Sequence, residues 1–171
     1  MEEFFAAYRA DGTGWVGRGS PGTIAAMIPP EGIRVFACSE ESFYAGGATL
    51  AEVRGHLWEK VKALREAKID GGATFAGKVA QTDLLSRTNI SGAALAAVIA
   101  KSAAAPFEVT WTFADNSTAD LDADEMISLG ITAMGHVDAC YARARVLRAD
   151  IDAAADMAAL LSINIEQGWP S

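Results

Sequence analysis

The sequence predicts an α+β fold. A small N-terminal antiparallel β module is expected over residues 1–48, followed over residues 49–171 by a helical domain with short β-hairpins and one long C-terminal helix. Three observations carry this. The first fifty residues break short apolar runs with glycine, as strands joined by turns do. From Thr49 the apolar residues change to three- and four-residue spacing, the helical period. Alternation returns at Val109, Trp111 and Phe113, just before Asp122 opens the longest helical stretch. The segment Trp111 to Glu125 therefore joins a strand, a polar turn, a second strand and a helix start. The rest of the chain is expected to supply surfaces for Trp111 and that helix.

In the N-terminal module, Phe4 to Tyr8 forms one apolar run and Trp15 to Arg18 its return strand. Asp11-Gly12 between them signals a type I′ hairpin turn, in which both central residues have positive φ. Thr23 to Met27 fits helix or strand, and Pro29-Pro30-Glu31-Gly32 is an extended corner that no helix crosses. Ile33, Val35 and Ala37 alternate as a third strand, and Phe43-Tyr44 adds a short fourth before Gly46-Gly47. A sheet this small is marginal alone and is expected to lean on other structure.

Thr49 and Glu52 have the spacing of a capping box, in which a hydroxyl and a carboxylate satisfy each other's backbone donors. Leu50, Val53, Leu57, Val61 and Leu64 then form one apolar stripe of a helix reaching about Ala67, stopped by Asp70-Gly71-Gly72. Residues 73–76 and 78–80 suit a small hairpin around Gly77. Thr82-Asp83 caps a short helical piece at Leu84 to Ser86, and Ser91 caps a second at Ala93 to Ser102. After the Trp111 hairpin, Asp122 and Glu125 repeat the capping-box spacing, and acids there complement the helix dipole. Ile127, Met134 and Tyr141 recur every seventh residue, interleaved with Gly130, Val137 and Ala144. That seam suits close packing against another helix, either the Leu50 helix or a neighbouring subunit. Ala153 to Ile163 continues as a helix or a broken extension.

Composition excludes several classes of function. At 171 residues and 51% hydrophobic, the chain can bury a real core. A net charge of -8 argues against nucleic-acid binding, which needs clustered Lys and Arg. No apolar run approaches the roughly 20 residues of a membrane helix, and Met1-Glu2-Glu3 lacks the basic start of a signal peptide. No membrane insertion is expected. Cys38 and Cys140 form no C-x-x-C pair and read as small buried side chains.

No motif carries a catalytic or cofactor site. Gly12 to Gly17 matches G-x-G-x-x-G, but Arg18-Gly19-Ser20-Pro21-Gly22 cannot open the helix that a phosphate site requires. Asp120, Asp122, Asp124 and Glu125 resemble a calcium loop, yet Glu125 stands where glycine is needed and Ile131 where the last oxygen ligand belongs. Helix capping accounts for those acids. His56 and His136 lack a partner at ligand spacing, and Ser20, Ser86 and Ser128 lack a nucleophile elbow. Trp58, Trp111 and Trp169 read as core anchors and a tail-packing residue. No cofactor, no metal and no catalytic residue is expected. Trp58, Trp111, Ile127, Met134, Val137 and Tyr141 are the structural or interface candidates.

One resemblance covers most of the chain. A helix bearing Trp58 and Arg65, the Gly71-Gly72 break, a short hairpin, Asp83 with Ser86-Arg87, the Trp111 strand, Asp115-Asn116 and the acid-capped helix at Asp122 to Glu125 follow one another in order. This pattern resembles the uncharacterised domain near the C-terminus of bacteriophage and prophage tail proteins, encoded among tail-fibre and baseplate genes. Tyr8-Arg9-Ala10-Asp11-Gly12, Gly17-Arg18-Gly19-Ser20-Pro21 and Pro30-Glu31-Gly32 resemble the short strand module that precedes it. Ser20 stands where such modules often carry cysteine, and Phe113-Ala114 is more apolar than the family pattern.

The resemblance implies a non-enzymatic tail component located in the virion, whose partners are other phage tail proteins and further copies of itself. The alternative is an assembly chaperone for a tail or tail-fibre protein that is not retained in the particle. An enzyme acting on cell-wall sugar would need paired carboxylates across a cleft, for which Asp115 and Asp120 are the nearest candidates.

Overall fold

Phe4 to Tyr8 lie in β1 (Glu3–Tyr8), which pairs antiparallel with β2 (Gly14–Gly19). The computed structural model describes residues 2–170; Met1, where the acidic opening begins, and Ser171 lie outside it. Tyr8 is opposite Gly14 and Phe5 opposite Gly17. Each ring covers its glycine so closely that an added Cβ would lie 2.4 Å from the Tyr8 ring or 2.3 Å from that of Phe5. Aromatic side chains thus fill the surface those glycines leave bare.

The β1–β2 connection is not the expected type I′ turn, because Asp11 does not take positive φ. Gly12 alone does, at 84°. Asp11 Oδ1 instead accepts from Thr13 N–H at 2.9 Å and Thr13 Oγ1 at 2.6 Å. Gly12 N–H donates to Arg9 O at 3.0 Å and Arg9 N–H to Thr13 O at 2.8 Å, closing a longer loop with one left-handed residue.

After α1 (Thr23–Ala26), β3 (Arg34–Cys38) pairs with the other edge of β1, giving the order β2-β1-β3. Phe36 is the buried residue of β3, not the alternating Val35 and Ala37, because its ring meets Tyr8 at 6.3 Å and His56 at 6.1 Å. Phe43 and Tyr44 are also not a strand. They end α2 (Glu40–Tyr44), which Ser39 nucleates by accepting from Ser42 N–H at 3.1 Å, with two glutamates in its first turn.

The Thr49–Glu52 capping box opens α3 (Leu50–Asp70): Glu52 N–H donates to Thr49 Oγ1 at 3.2 Å and Thr49 N–H to Glu52 at 2.7 Å. The helix passes Ala67 by three residues because its last carbonyls find partners. Lys68 O lies 2.9 Å from His136 Nε2, and Ile69 O accepts from Thr82 Oγ1 at 2.5 Å. Gly72, at φ 96°, then reverses the chain.

β4 (Ala73–Phe75) and β5 (Lys78–Ala80) form the expected hairpin. Here Ala76 (φ 48°) and Gly77 (φ 78°) both take positive φ, so the type I′ turn occurs at this site. Asp83 caps α4 (Leu84–Ser102), accepting from Leu85 N–H at 3.0 Å and Ser86 N–H at 3.1 Å. Instead of two pieces divided at Ser91, α4 is one helix. Burial of Ile90 and Ala97 on one side outweighs the weak propensity of Ser91 and Gly92.

β6 (Glu108–Thr112) pairs with β7 (Thr118–Asp122), with Trp111 opposite Ala119. Their loop repeats the β1–β2 loop. Phe113 N–H donates to Ser117 O at 2.9 Å, Asn116 N–H to Phe113 O at 2.9 Å, and Asp115 Oδ1 accepts from Ser117 N–H at 2.9 Å. Asn116 takes the left-handed place of Gly12, at φ 62°. Arg9-Ala10-Asp11-Gly12-Thr13 and Phe113-Ala114-Asp115-Asn116-Ser117 are therefore one turn used twice.

The Asp122–Glu125 capping box opens α5 (Ala123–Ala153), with reciprocal bonds of 2.9 Å and 3.0 Å. Its buried line is Met126, Leu129, Ala133, Val137, Cys140, Ala144, Leu147 and Ile151, at three- and four-residue spacing. Arg54 binds the carbonyls at its C-terminal end, Ile151 O at 3.2 Å and Ala154 O at 2.6 Å. Asp156 then caps a separate helix, α6 (Met157–Ser162).

The chain divides into two compact units. One comprises Met1–Lys62 with Arg145–Gln167, and the expected boundary at residues 48 and 49 lies inside it. The other comprises Ala63–Ala144 with Gly168–Ser171. Its core gathers Ile90 and Ala97 of α4, Phe113 and Leu121 of the second hairpin, and Met126, Leu129 and Ala133 of α5. A smaller cluster joins Ile69, Val137, Cys140 and Trp169.

Candidate functional site

In the second unit, α4 and α5 run antiparallel. Ala94 faces Gly130, where an added Cβ would lie 3.0 Å from the Ala94 methyl, and Lys101 forms an ion pair with Asp124. The close approach of small residues brings the two backbones together and leaves an open groove above them. Its volume is about 700 Å³. One wall is Ser91, Leu95 and Val98 of α4; the other is Ile127, Ile131 and Met134 of α5, with Ala94, Gly130 and Gly135 also lining it. Asp138 is its one charged lining residue.

This surface is unusually apolar for one facing solvent. Leu95 is 61% exposed, Ile99 59%, Ile131 69% and Met134 59%. Leu84, Thr88, Ser91, Leu95, Val98 and Ser102 recur at four- and three-residue steps, a straight seam along the outer side of α4. Ile127, Ile131, Met134, Asp138 and Tyr141 repeat that spacing on α5. Both helices thus carry a buried stripe on one side and a second, solvent-facing apolar seam on another. The unit's core is built from the first, with Ile127 of the second packed against it.

The six sequence candidates are distributed as follows. Ile127 and Met134 line the groove. Val137 is buried with Ile69, Cys140 and Trp169, and Trp111 packs half-buried on the core of the same unit. Its indole Nε1 is buried without a hydrogen-bond partner among the described residues. Tyr141, partly exposed, carries the Arg65 guanidinium 4.6 Å above its ring. In the other unit, Trp58 carries that of Arg148 at 5.0 Å. Sequence reasoning missed Leu95, Val98 and Ile131. Dividing α4 at Ser91 hid the seam that its uninterrupted spacing would have displayed.

Several polar residues weighed for chemistry have structural partners. Asp115 holds its turn, and Asp120 accepts from Thr110 Oγ1 at 2.6 Å. His56 Nε2 lies 2.7 Å from Ala37 O. Burial pushes the thiols of Cys38 and Cys140 up from their ordinary value. Among the described residues, no three His, Cys, Asp or Glu side chains come together as a metal site, and no helix is long and apolar enough to cross a membrane.

The sequence profile of the family described as Domain of unknown function (DUF4376) matches residues 52–166. The chain belongs to that family. Neither a curated protein nor a solved structure matches it.

Proposed function

We propose that this protein is a non-enzymatic structural component of a bacteriophage tail, associated with the tail fibre or baseplate, that acts by protein–protein docking and oligomerisation. The tail assignment rests on the sequence resemblance running from Trp58 through Asp122 to Glu125 and on the strand module before it. The docking role rests on the groove between α4 and α5. Large apolar side chains in a contiguous exposed patch are unfavourable for an isolated chain and mark an interaction surface. The two edge strands β2 and β3 offer a further route, strand addition.

Quantitative mass spectrometry of gradient-purified particles of the encoding phage tests the assignment. A fixed ratio of this chain to the major tail protein is the expected result. Abundance in infected-cell lysate with absence from particles would reject the virion assignment and identify an assembly chaperone.

A further inference from the structure

The groove's chemistry also indicates what covers it. An occupant must bring an apolar ridge at helical spacing, with little charge along it. A second copy of the same face meets both conditions, since the outer seams of α4 and α5 are themselves such ridges. The chain carries a net charge of -8, so most surfaces of two copies repel. This face is nearly charge-free and escapes that repulsion. Its charges also lie at opposite ends: Asp138 near the start of α4, and Lys101, paired with Asp124, near its end. Turning one copy end to end about a two-fold axis keeps the two Asp138 side chains at opposite ends of the interface, so these like charges do not meet.

Size supports the same occupant. Leu84, Leu95, Val98, Ile99, Ile131 and Met134 are each about half or more exposed. Together they offer on the order of 700 Å² per copy, close to the roughly 800 Å² each partner contributes to a standard stable interface. We propose that two copies of this chain associate through the α4/α5 groove, antiparallel about a two-fold axis, into an interface of four helices. This deepens the docking reading and rests on it, but not on the tail assignment.

The test uses the purified full chain in sedimentation equilibrium across a micromolar concentration series. The expected result is a monomer–dimer equilibrium, weakened about tenfold or more by Leu95→Glu and, separately, by Ile131→Glu, because each substitution enters a symmetric interface twice. Both positions are largely exposed, so unchanged far-ultraviolet circular dichroism, and unchanged melting at concentrations where the wild type is monomeric, would show that each variant still folds. Leu95 lies near the middle of the groove, so in a Cys38→Ser background Leu95→Cys is expected to give a reducible covalent dimer, whereas Leu84→Cys is not. A monomer throughout the series, or a dimer indifferent to both glutamate variants, overturns the proposal. Since these measurements require no particles, their outcome is independent of whether the chain is found in a tail.

Discussion

Gly130 of α5 sits against Ala94 of α4 so closely that a Cβ built on the glycine would lie 3.0 Å from the alanine methyl. Glycine inside an exposed helix costs about 0.8–1 kcal/mol relative to alanine. Here that cost is offset by the close approach of two helices. Gly130→Ala is accordingly expected to gain less than the usual amount; Ala94→Gly carries its own helix penalty, so in the double variant the relieved contact shows as a favourable coupling rather than as a net gain. Denaturant unfolding of the four proteins in a double-mutant cycle measures the coupling, expected at about 0.5 kcal/mol or more. Simple additivity would show that the two positions do not constrain each other.

Thr82 is fully buried, and its hydroxyl donates to Ile69 O at the end of α3. Thr82→Val keeps the shape and removes the donor, leaving a buried carbonyl short of its partner. The expected loss is about 1–3 kcal/mol in urea unfolding. A loss near zero would mean that water satisfies Ile69 O.

Glu52 receives Ser39 N–H, Ser42 Oγ, Thr49 N–H and Thr49 Oγ1, all at 2.7–2.9 Å. Burial raises its pKa, but these hydrogen bonds outweigh burial and hold it at about 2, below the ordinary value of 4.5. A carboxylate whose folded pKa is depressed stabilises the fold fully above its unfolded pKa and loses that contribution as pH falls through the folded one. The stabilisation from Glu52 is therefore expected to disappear between about pH 4.5 and 2. Melting curves of wild type and Glu52→Gln should differ most near neutrality and converge in acid. Parallel pH profiles would remove Glu52 from this role.

Gly72 follows α3 with φ 96°, and an added Cβ would lie 2.5 Å from Val79 Cγ1 and 2.8 Å from Ala80 O. Gly72→Ala therefore combines left-handed strain with a clash against backbone. A loss of about 2–4 kcal/mol is expected, larger than strain alone explains. Thermal unfolding of Gly72→Ala beside Gly77→Ala separates the two causes. Gly77 also has positive φ, but its Cβ position is open. Equal losses at both positions would count against the clash.

The elements were legible where a local rule was sufficient. Both capping boxes depend on residues three apart, and hydrogen-bonding chemistry at that distance needs no tertiary partner. Phe43-Tyr44 was misread because two aromatics look like a strand when the Ser39 cap and the acids after it are ignored. Asp11-Gly12 was misread because the dipeptide alone does not reveal that the aspartate side chain captures Thr13. Of the groove, Ile127, Gly130 and Met134 were legible, through their recurrence along one helix. Leu95 and Val98 belong to the same site only because α4 lies beside α5.

Spacing within single segments carried the α+β class, the two capping-box helix starts and the apolar stripes, but not α2 or the unbroken α4. The tertiary structure alone decided which of two apolar seams is buried. Met126, Leu129 and Ala133 meet Ile90 and Ala97, whereas Ile131 and Met134 are left facing solvent. Periodicity records that a helix has an apolar face, but burial depends on which other segment arrives there. At Gly130 and Ala94, two small residues distant in sequence set that arrival.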